Sequence, residues 1–525
     1  MTDSNQQSGL SKEQIDSVIA LYTAGQYQEA INQIKILNQS YPNTPFLFNL
    51  IGACYKSLGQ LEGSAKMFET AVNLKPDYAE AHKNLGITLK DLGQLDAAVG
   101  SLSKAIAIDP SYVDAHYNLA ITFKDLNQLD AAVKSYQKVI EINPNFAQAY
   151  NNLGNLMKDL GQADVAIKNY QKAIEINPSF AHAYNNLGNA FKDLGQLKEA
   201  VTNYQKAIEK NPDFSEAHNN LGNAFKDLYK FDDAVKSYQR AVEINPKFAA
   251  AYYNLGTVFK KINQKEKLLT LFENAYLLDP DLDFILGDLL TARMQFCNWS
   301  EFTDLLKNLQ KKITENKKVV DPFNLLGLID DTALQKKAAQ IFSDYHNLKK
   351  NTLYKIKPYA KKSKIRIGYF SADFHNHATM HLMAEFFELH DKELFEIFAF
   401  SFGPEKIDNW RERVISSFDD FIDVRDKTDQ EVSLMSKKLE IDIAVDLKGF
   451  TKDCRPNIFA EFCAPVQVSY LGYPGTIGAE HIHYLIADQT LIPEDSQNLY
   501  SEKIVYMPNT YQVNMATRDV SVVSL

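Results

Sequence analysis

AYNNLGNAFKDLGQLKEAVTNYQKAIEKNP, residues 183–212, contains two short amphipathic helices together with the signals that separate and end them. The spacing predicts a first helix over Ala183 to Leu194 and a second over Leu197 to Glu209. Between them stands Gly195, a residue able to take the left-handed conformation with which helices commonly end. Leu187, Phe191, Leu194, Ala200, Tyr204 and Ile208 recur at helical intervals and are expected to form the shared core. Pro212 stops the second helix, since proline lacks a backbone N–H and disfavours helical geometry in the residue before it.

The same unit recurs on both sides. Pro42, Pro76, Pro110, Pro144, Pro178, Pro212, Pro246 and Pro280 are each 34 residues apart. Small residues keep the same frame in three rows. Gly86, Ala120, Gly154, Gly188, Gly222 and Gly256 form the first, and Ala30, Ala98, Ala132, Ala166, Ala200 and Ala234 the second. Ala71, Ala105, Ala173, Ala207, Ala241 and Ala275 form the third, with Val139 standing between. Length and pattern match the tetratricopeptide repeat. Eight units follow, over 11–44, 45–78, 79–112, 113–146, 147–180, 181–214, 215–248 and 249–282. A lone hairpin cannot bury its apolar side, so the expected architecture is an all-α superhelix of stacked hairpins with a concave inner surface. The end units are atypical, with Ser64 and Leu268 in alanine positions.

One row is not demanded by packing. Asn84, Asn118, Asn152, Asn186, Asn220 and Asn254 each precede the core leucine of a first helix. Asparagine is a poor residue inside a helix. In register on the inner face, its carboxamides offer donors and acceptors that could grip the peptide groups of an extended protein segment. The alternatives are hairpin stabilisation or repeat duplication, and duplication also accounts for the second asparagine at Asn151, Asn185 and Asn219. The row is interrupted at Leu50 and Asp288, which places the expected groove between residues 79 and 260.

At 525 residues the chain exceeds one hydrophobic core. Its formal charge of -10 argues against nonspecific nucleic-acid binding, which needs a basic surface. The sequence shows no secretory signal and no apolar run long enough to span a bilayer. Its four cysteines, Cys54, Cys297, Cys454 and Cys463, have neither metal-ligand nor disulfide-framework spacing, which points to reduced thiols and a cytoplasmic location. The expected organisation is a disordered N-terminus (1–10), the repeats (11–282), a degenerate helical capping or transition region (283–350) and a basic linker (351–364).

From Ile365 the pattern changes to alternating strands and helices. Strands are expected at 365–370, 395–401, 419–424, 441–447, 466–471 and 484–487, with helices near 379–389, 408–417, 429–439 and 457–462. This alternation indicates an α/β Rossmann-like domain whose ligands lie beyond the carboxyl ends of the strands. Three loops there carry chemistry. Residues 371–381 hold Asp373, His375, His377 and His381, where an imidazole could orient substrate or move a proton; no metal signature accompanies them. Residues 446–453 supply Asp446, Thr451 and Lys452, and residues 472–478 form a glycine-rich turn whose amides could face an anion or a sugar.

GYFSADFHNHATMHL, DLKGFTKDCRP, VQVSYLGYPGTIGA and EKIVYMPNTYQ, in that order behind the repeat array, resemble the N-terminal catalytic half of the O-linked N-acetylglucosamine transferases. The resemblance implies the first half of a GT-B fold. It also implies inverting transfer of N-acetylglucosamine from the donor substrate UDP-GlcNAc to Ser or Thr hydroxyls, without a resident cofactor or metal. By motif, His377 matches the family's active-site histidine, and Thr451 and Lys452 match residues lining the sugar and acceptor cleft. Tyr473, Pro474, Gly475, Thr476 and Gly478 match the loop closing on the donor, and the asparagine row matches a peptide-holding ladder. Asp446 is a candidate acid/base partner by position and chemistry only. Phe450 stands where family members commonly have tyrosine. After residue 512 the tail, 513–525, departs from the family pattern, so the chain is expected to lack the second half that supplies most UDP contacts, and to act as a truncated form or beside a separate C-terminal half. The bare cleft beyond Gly449 and Gly475 would then favour self-association. The competing expectation is a non-catalytic scaffold for extended protein segments.

Overall fold

The computed structural model describes residues 10–346, 358–360 and 362–514, with the side chain of residue 265 excepted. The linker expected at 351–364 and the tail after residue 514 fall largely or wholly outside these residues. The described chain divides into two compact units, up to Pro246 and from Lys247 onward.

In the first unit the expected hairpins follow one another from Lys12–Thr23 and Tyr27–Ser40 to Ser215–Asp227 and Phe231–Ile244. In the index repeat the helices are Ala181–Asp193 and Leu197–Lys210, with Gly195 at φ +73° between them. The glycine row has a steric cause. A Cβ on Gly188 would stand 2.7 Å from Cε1 of Tyr204, and Gly154 and Gly222 meet Tyr170 and Tyr238 in the same way. Each of these rings is fully buried. A buried phenol needs a partner for its hydroxyl, and Tyr170, Tyr204 and Tyr238 donate to Oδ1 of Asn155, Asn189 and Asn223 at 2.8, 2.7 and 2.7 Å.

Two expectations are corrected here. Leu194, assigned to the core, is 43% exposed, because it forms the C-cap where the chain already turns outward. Leu10, assigned to the disordered N-terminus, is buried with Ile15, Val18 and Ile31. The first helix begins immediately after it with a capping box, in which Ser11 and Gln14 satisfy each other's backbone N–H groups.

The second unit opens with the hairpin Ala249–Lys261 and Leu268–Leu278, followed by helices Ile285–Gln295, Phe302–Thr314, Pro322–Leu326 and Thr332–Tyr345. It then forms one seven-stranded, wholly parallel sheet in the order β3-β2-β1-β4-β5-β6-β7. The strands are β1 (Ile365–Ser371), β2 (Phe395–Ser401), β3 (Asp420–Asp423), β4 (Ile443–Asp446), β5 (Val466–Ser469), β6 (Tyr484–Ala487) and β7 (Lys503–Tyr506). Alternate residues of β1 enter two cores: Ile367 and Tyr369 pack with Phe374, Met380 and Phe387, whereas Phe370 stacks on Phe400 and joins Phe398 and Phe459. Both faces are therefore covered, as parallel sheets require. β7 was not anticipated as a strand.

The helix Thr332–Tyr345, read from sequence as part of a transition region, is packed into the α/β core. Ala339 is fully buried in the core cluster of Phe370 and Phe400, and Phe342 packs against it. Ser343 Oγ donates to the carbonyl of Ile477 at 2.6 Å, and Lys336 Nζ donates to the carbonyls of Asn498 and Tyr500 at 2.8 and 3.3 Å.

Candidate functional site

Parallel strands bring all their carboxyl ends to one edge. The strand order changes direction at β1, whose neighbours are β2 and β4. The loops leaving β1 and β4 therefore diverge and leave a crevice between them, the usual ligand position in such sheets. These two loops carry the first two sequence motifs.

A buried ion pair spans the crevice. Lys448 Nζ donates to Asp373 Oδ2 at 2.7 Å, with the side chains 6% and 10% exposed. Asp373 Oδ2 also lies 3.6 Å from Nδ1 of the exposed His377. His377 is the N-cap of helix Ala378–Glu388, where its Nδ1 accepts the backbone N–H of Thr379 at 3.2 Å. The loop is held from outside by Asp408, whose Oδ2 accepts the N–H of Asn376 at 2.8 Å. Burial holds the His377 pKa below its usual value, against the opposing pull of Asp373. His375 and His381 have separate partners, the carbonyl of Asn376 and the Asn376 side chain. Among the described residues no group of three His, Cys, Asp or Glu side chains is placed to hold a metal.

Thr451 is half-buried and donates to the carbonyl of Lys448 at 2.8 Å, tightening the β4 loop, while Lys452 is exposed beside it. Asp446 is placed differently from an acid/base group facing a ligand. It is 5% exposed, and its Oδ1 accepts the N–H of Lys448 at 2.8 Å. Burial pushes its pKa up to about 6. Its carboxylate shapes the turn after β4. Phe450 points into the core, against Phe342 and Tyr473.

The glycine-rich loop is more enclosed than its composition suggests. Tyr473, Gly475, Thr476 and Gly478 are buried and Pro474 half-buried. Thr476 Oγ1 donates to Glu502 Oε2, and the N–H of Ile477 to Oε1, both at 2.7 Å. The N–H of Gly478 turns back to Thr476 Oγ1 at 3.1 Å. Two amides that could have faced an anion are thus spent inside the fold, and the loop is braced against helix Thr332–Tyr345.

Sequence reasoning missed the Asp373–Lys448 pair. The available signal was opposite charges in the loops leaving two strands, but their adjacency appears only once the sheet order is known.

In the repeats the asparagine row is half-buried throughout. Its carboxamide nitrogens reach back 35 residues to the preceding hairpin: Asn84 to Asn49 Oδ1 at 3.0 Å, Asn186 to Asn151 Oδ1 at 3.0 Å and Asn220 to Asn185 Oδ1 at 3.0 Å. Asn152 reaches the Tyr117 hydroxyl at 2.8 Å. Asn151 and Asn185, attributed above to duplication, are the acceptors of the Asn186 and Asn220 bonds. At Asn118 the residue 35 earlier is Lys83, which has no acceptor, and Asn118 bonds the carbonyl of Asp114 at 2.8 Å instead. Asn254 is also engaged. Where the row ends, Asp288 keeps the same spacing by accepting from Tyr253 at 2.9 Å, and it also accepts from Lys260 at 2.7 Å.

Comparison with known proteins agrees with this division. Residues 297–519 match the model of glycosyl transferase family 41, and six segments between residues 52 and 263 match a TPR repeat model. A probable UDP-N-acetylglucosamine–peptide N-acetylglucosaminyltransferase SEC of Arabidopsis thaliana is 40% identical over 151 residues, 29% of this chain and 16% of that relative. A UDP-N-acetylglucosamine–peptide N-acetylglucosaminyltransferase of Caenorhabditis elegans is 35% identical over 154 residues, 28% of this chain and 13% of that relative. Each alignment therefore spans less than a fifth of the relative's length. A solved variant of the Thermobaculum terrenum O-GlcNAc transferase aligns over 63% of this chain and 58% of its own, at 24% identity and a TM-score of 0.40. The chain joins a tetratricopeptide-repeat array to a parallel α/β glycosyltransferase domain. That domain is of family 41 and is homologous to the UDP-GlcNAc:protein O-GlcNAc transferases.

Proposed function

We propose that the chain takes part in transferring N-acetylglucosamine from UDP-GlcNAc to Ser or Thr hydroxyls of proteins, with inversion at the anomeric carbon and in the cytoplasm. The observation that carries this reading is the crevice between β1 and β4, where His377, Asp373, Lys448, Thr451 and Lys452 gather at the carboxyl edge of a parallel sheet inside the family 41 match. In the proposed step the accepting hydroxyl oxygen forms a bond to the anomeric carbon from the face opposite UDP. The bond from that carbon to the diphosphate oxygen breaks, UDP leaves with the electron pair, and the hydroxyl proton passes to solvent or a base. The repeats would present the acceptor: with the Asn84, Asn186 and Asn220 amide nitrogens engaged between hairpins, their oxygens face the task of receiving an extended segment's N–H groups. Titration of the chain with UDP, followed by incubation with labelled UDP-GlcNAc and an unstructured Ser/Thr peptide, tests the reading. UDP binding is expected, with peptide labelling by the chain or by the chain together with a C-terminal catalytic half; UDP binding no stronger than to the isolated repeats would overturn it.

A second reading, a scaffold that holds extended segments without chemistry, is favoured by the ordered asparagine ladder alone. It predicts peptide binding with no effect of UDP.

A further inference from the structure

One arrangement in the crevice decides what His377 can offer. His377 Nδ1 lies 3.2 Å from the Thr379 N–H, which can only donate and needs the lone pair there, and 3.1 Å from Thr379 Oγ1, whose hydroxyl can turn to donate to the same lone pair. A neutral imidazole has one N–H, which then lies on Nε2. Asp373 works against this state: a carboxylate beside Nδ1 favours a proton there and, with Nε2 protonated, the imidazolium. At 3.6 Å it is outside hydrogen-bonding distance, and its Oδ2 is already held by Lys448 at 2.7 Å. The other charged or titratable groups near the ring, Lys448 itself, His375 and Lys406, also disfavour a second proton. Burial acts in the same direction.

We propose that Lys448 is a positioning residue: by holding Asp373 it keeps His377 as the Nε2–H tautomer, so that the imidazole presents a hydrogen-bond donor to an oxygen of the bound sugar donor or accepting hydroxyl. The identity of that oxygen rests on the transferase reading; the tautomer does not. In this state His377 cannot accept the hydroxyl proton at Nε2, and that proton leaves by another route.

The test is long-range proton–nitrogen correlation on the full chain labelled with nitrogen-15 at histidine, without any nucleotide, His377 being assigned by comparison with His377→Gln. A protonated Nε2 and a bare Nδ1 are expected near neutral pH; a proton on Nδ1 would overturn the proposal. Lys448→Met should raise the His377 pKa by about one pH unit or more as Asp373 is released, and Lys448→Arg should restore it. A titration unchanged in Lys448→Met would also overturn the proposal, since a purely structural lysine would alter melting and leave the ring's pKa in place. Should Lys448→Met not fold, Asp373→Asn provides the second measurement: the Nε2–H tautomer must persist, with a pKa no higher than in the parent chain, and a higher value refutes the role given to the pair. Failure of the transferase reading would appear separately, as absent UDP binding with the tautomer intact.

Discussion

Asn186 donates its carboxamide N–H to Oδ1 of Asn151, 35 residues earlier, at 3.0 Å, and Asn151 is buried. At Asn84, Asn152, Asn186 and Asn220 the row therefore joins a hairpin to the one before it. Asn186→Ala removes the donor and strands a buried acceptor, a loss of about 1–3 kcal/mol. Asn151→Ala and the double variant should show coupling, the pair costing less than the sum of the singles. Urea unfolding of the isolated repeats measures all three; strictly additive losses would mean that the bond contributes nothing.

Tyr229 occupies the interhelix position that Gly161 and Gly195 hold two and one repeats earlier, and it has their left-handed conformation, at φ +58°. Its side chain is 73% exposed. A non-glycine residue there costs roughly 1–2 kcal/mol, offset in part by glycine's extra freedom in the unfolded chain. Tyr229→Gly is expected to stabilise the repeats by about 0.5–1 kcal/mol, read as a higher midpoint in thermal unfolding.

Gly478 has φ +71°, and a Cβ there would lie 2.6 Å from the backbone nitrogen of Gln340. Gly478→Ala combines a left-handed penalty with a backbone collision, together about 2–4 kcal/mol. Hydrogen exchange should show helix Thr332–Tyr345 losing protection in this variant; protection equal to the parent's would contradict the docking described.

Asp446 has a folded-state pKa raised from 3.8 to about 6 by burial. The folded form holds its proton to higher pH than the unfolded form does. The stability this gives is complete below pH ~4, falls as pH rises to about 6 and is flat beyond. Asp446→Asn removes that slope. Its stability relative to the parent should rise between pH 4 and pH 6 by up to about 3 kcal/mol, at 1.36 kcal/mol per pH unit, and then level off, as denaturant titrations across that interval would show.

Much of the repeat architecture was legible because its signals are local and recur: Pro212 and its equivalents stop helices, and Gly188 leaves room for a ring sixteen residues later in the same hairpin. The strand-and-helix alternation after Ile365 was readable for the same reason. The Asp373–Lys448 bond joins residues 75 apart and exists only because β4 pairs with β1 instead of following β3 in the sheet. No periodicity encodes that adjacency. The enclosure of Asp446 and the docking of Ala339 likewise depend on which face of an element is covered, a property of the assembled sheet. Asn151 and Asn185 were misjudged because their value lies in a partner one repeat away.

At Lys83 and Asn118 the ladder skips a rung, and the carboxamide bonds within its own helix. In a stack held by nearest-neighbour terms, the step from the third hairpin to the fourth is thus joined by helix packing without the polar key that the steps on either side of it carry.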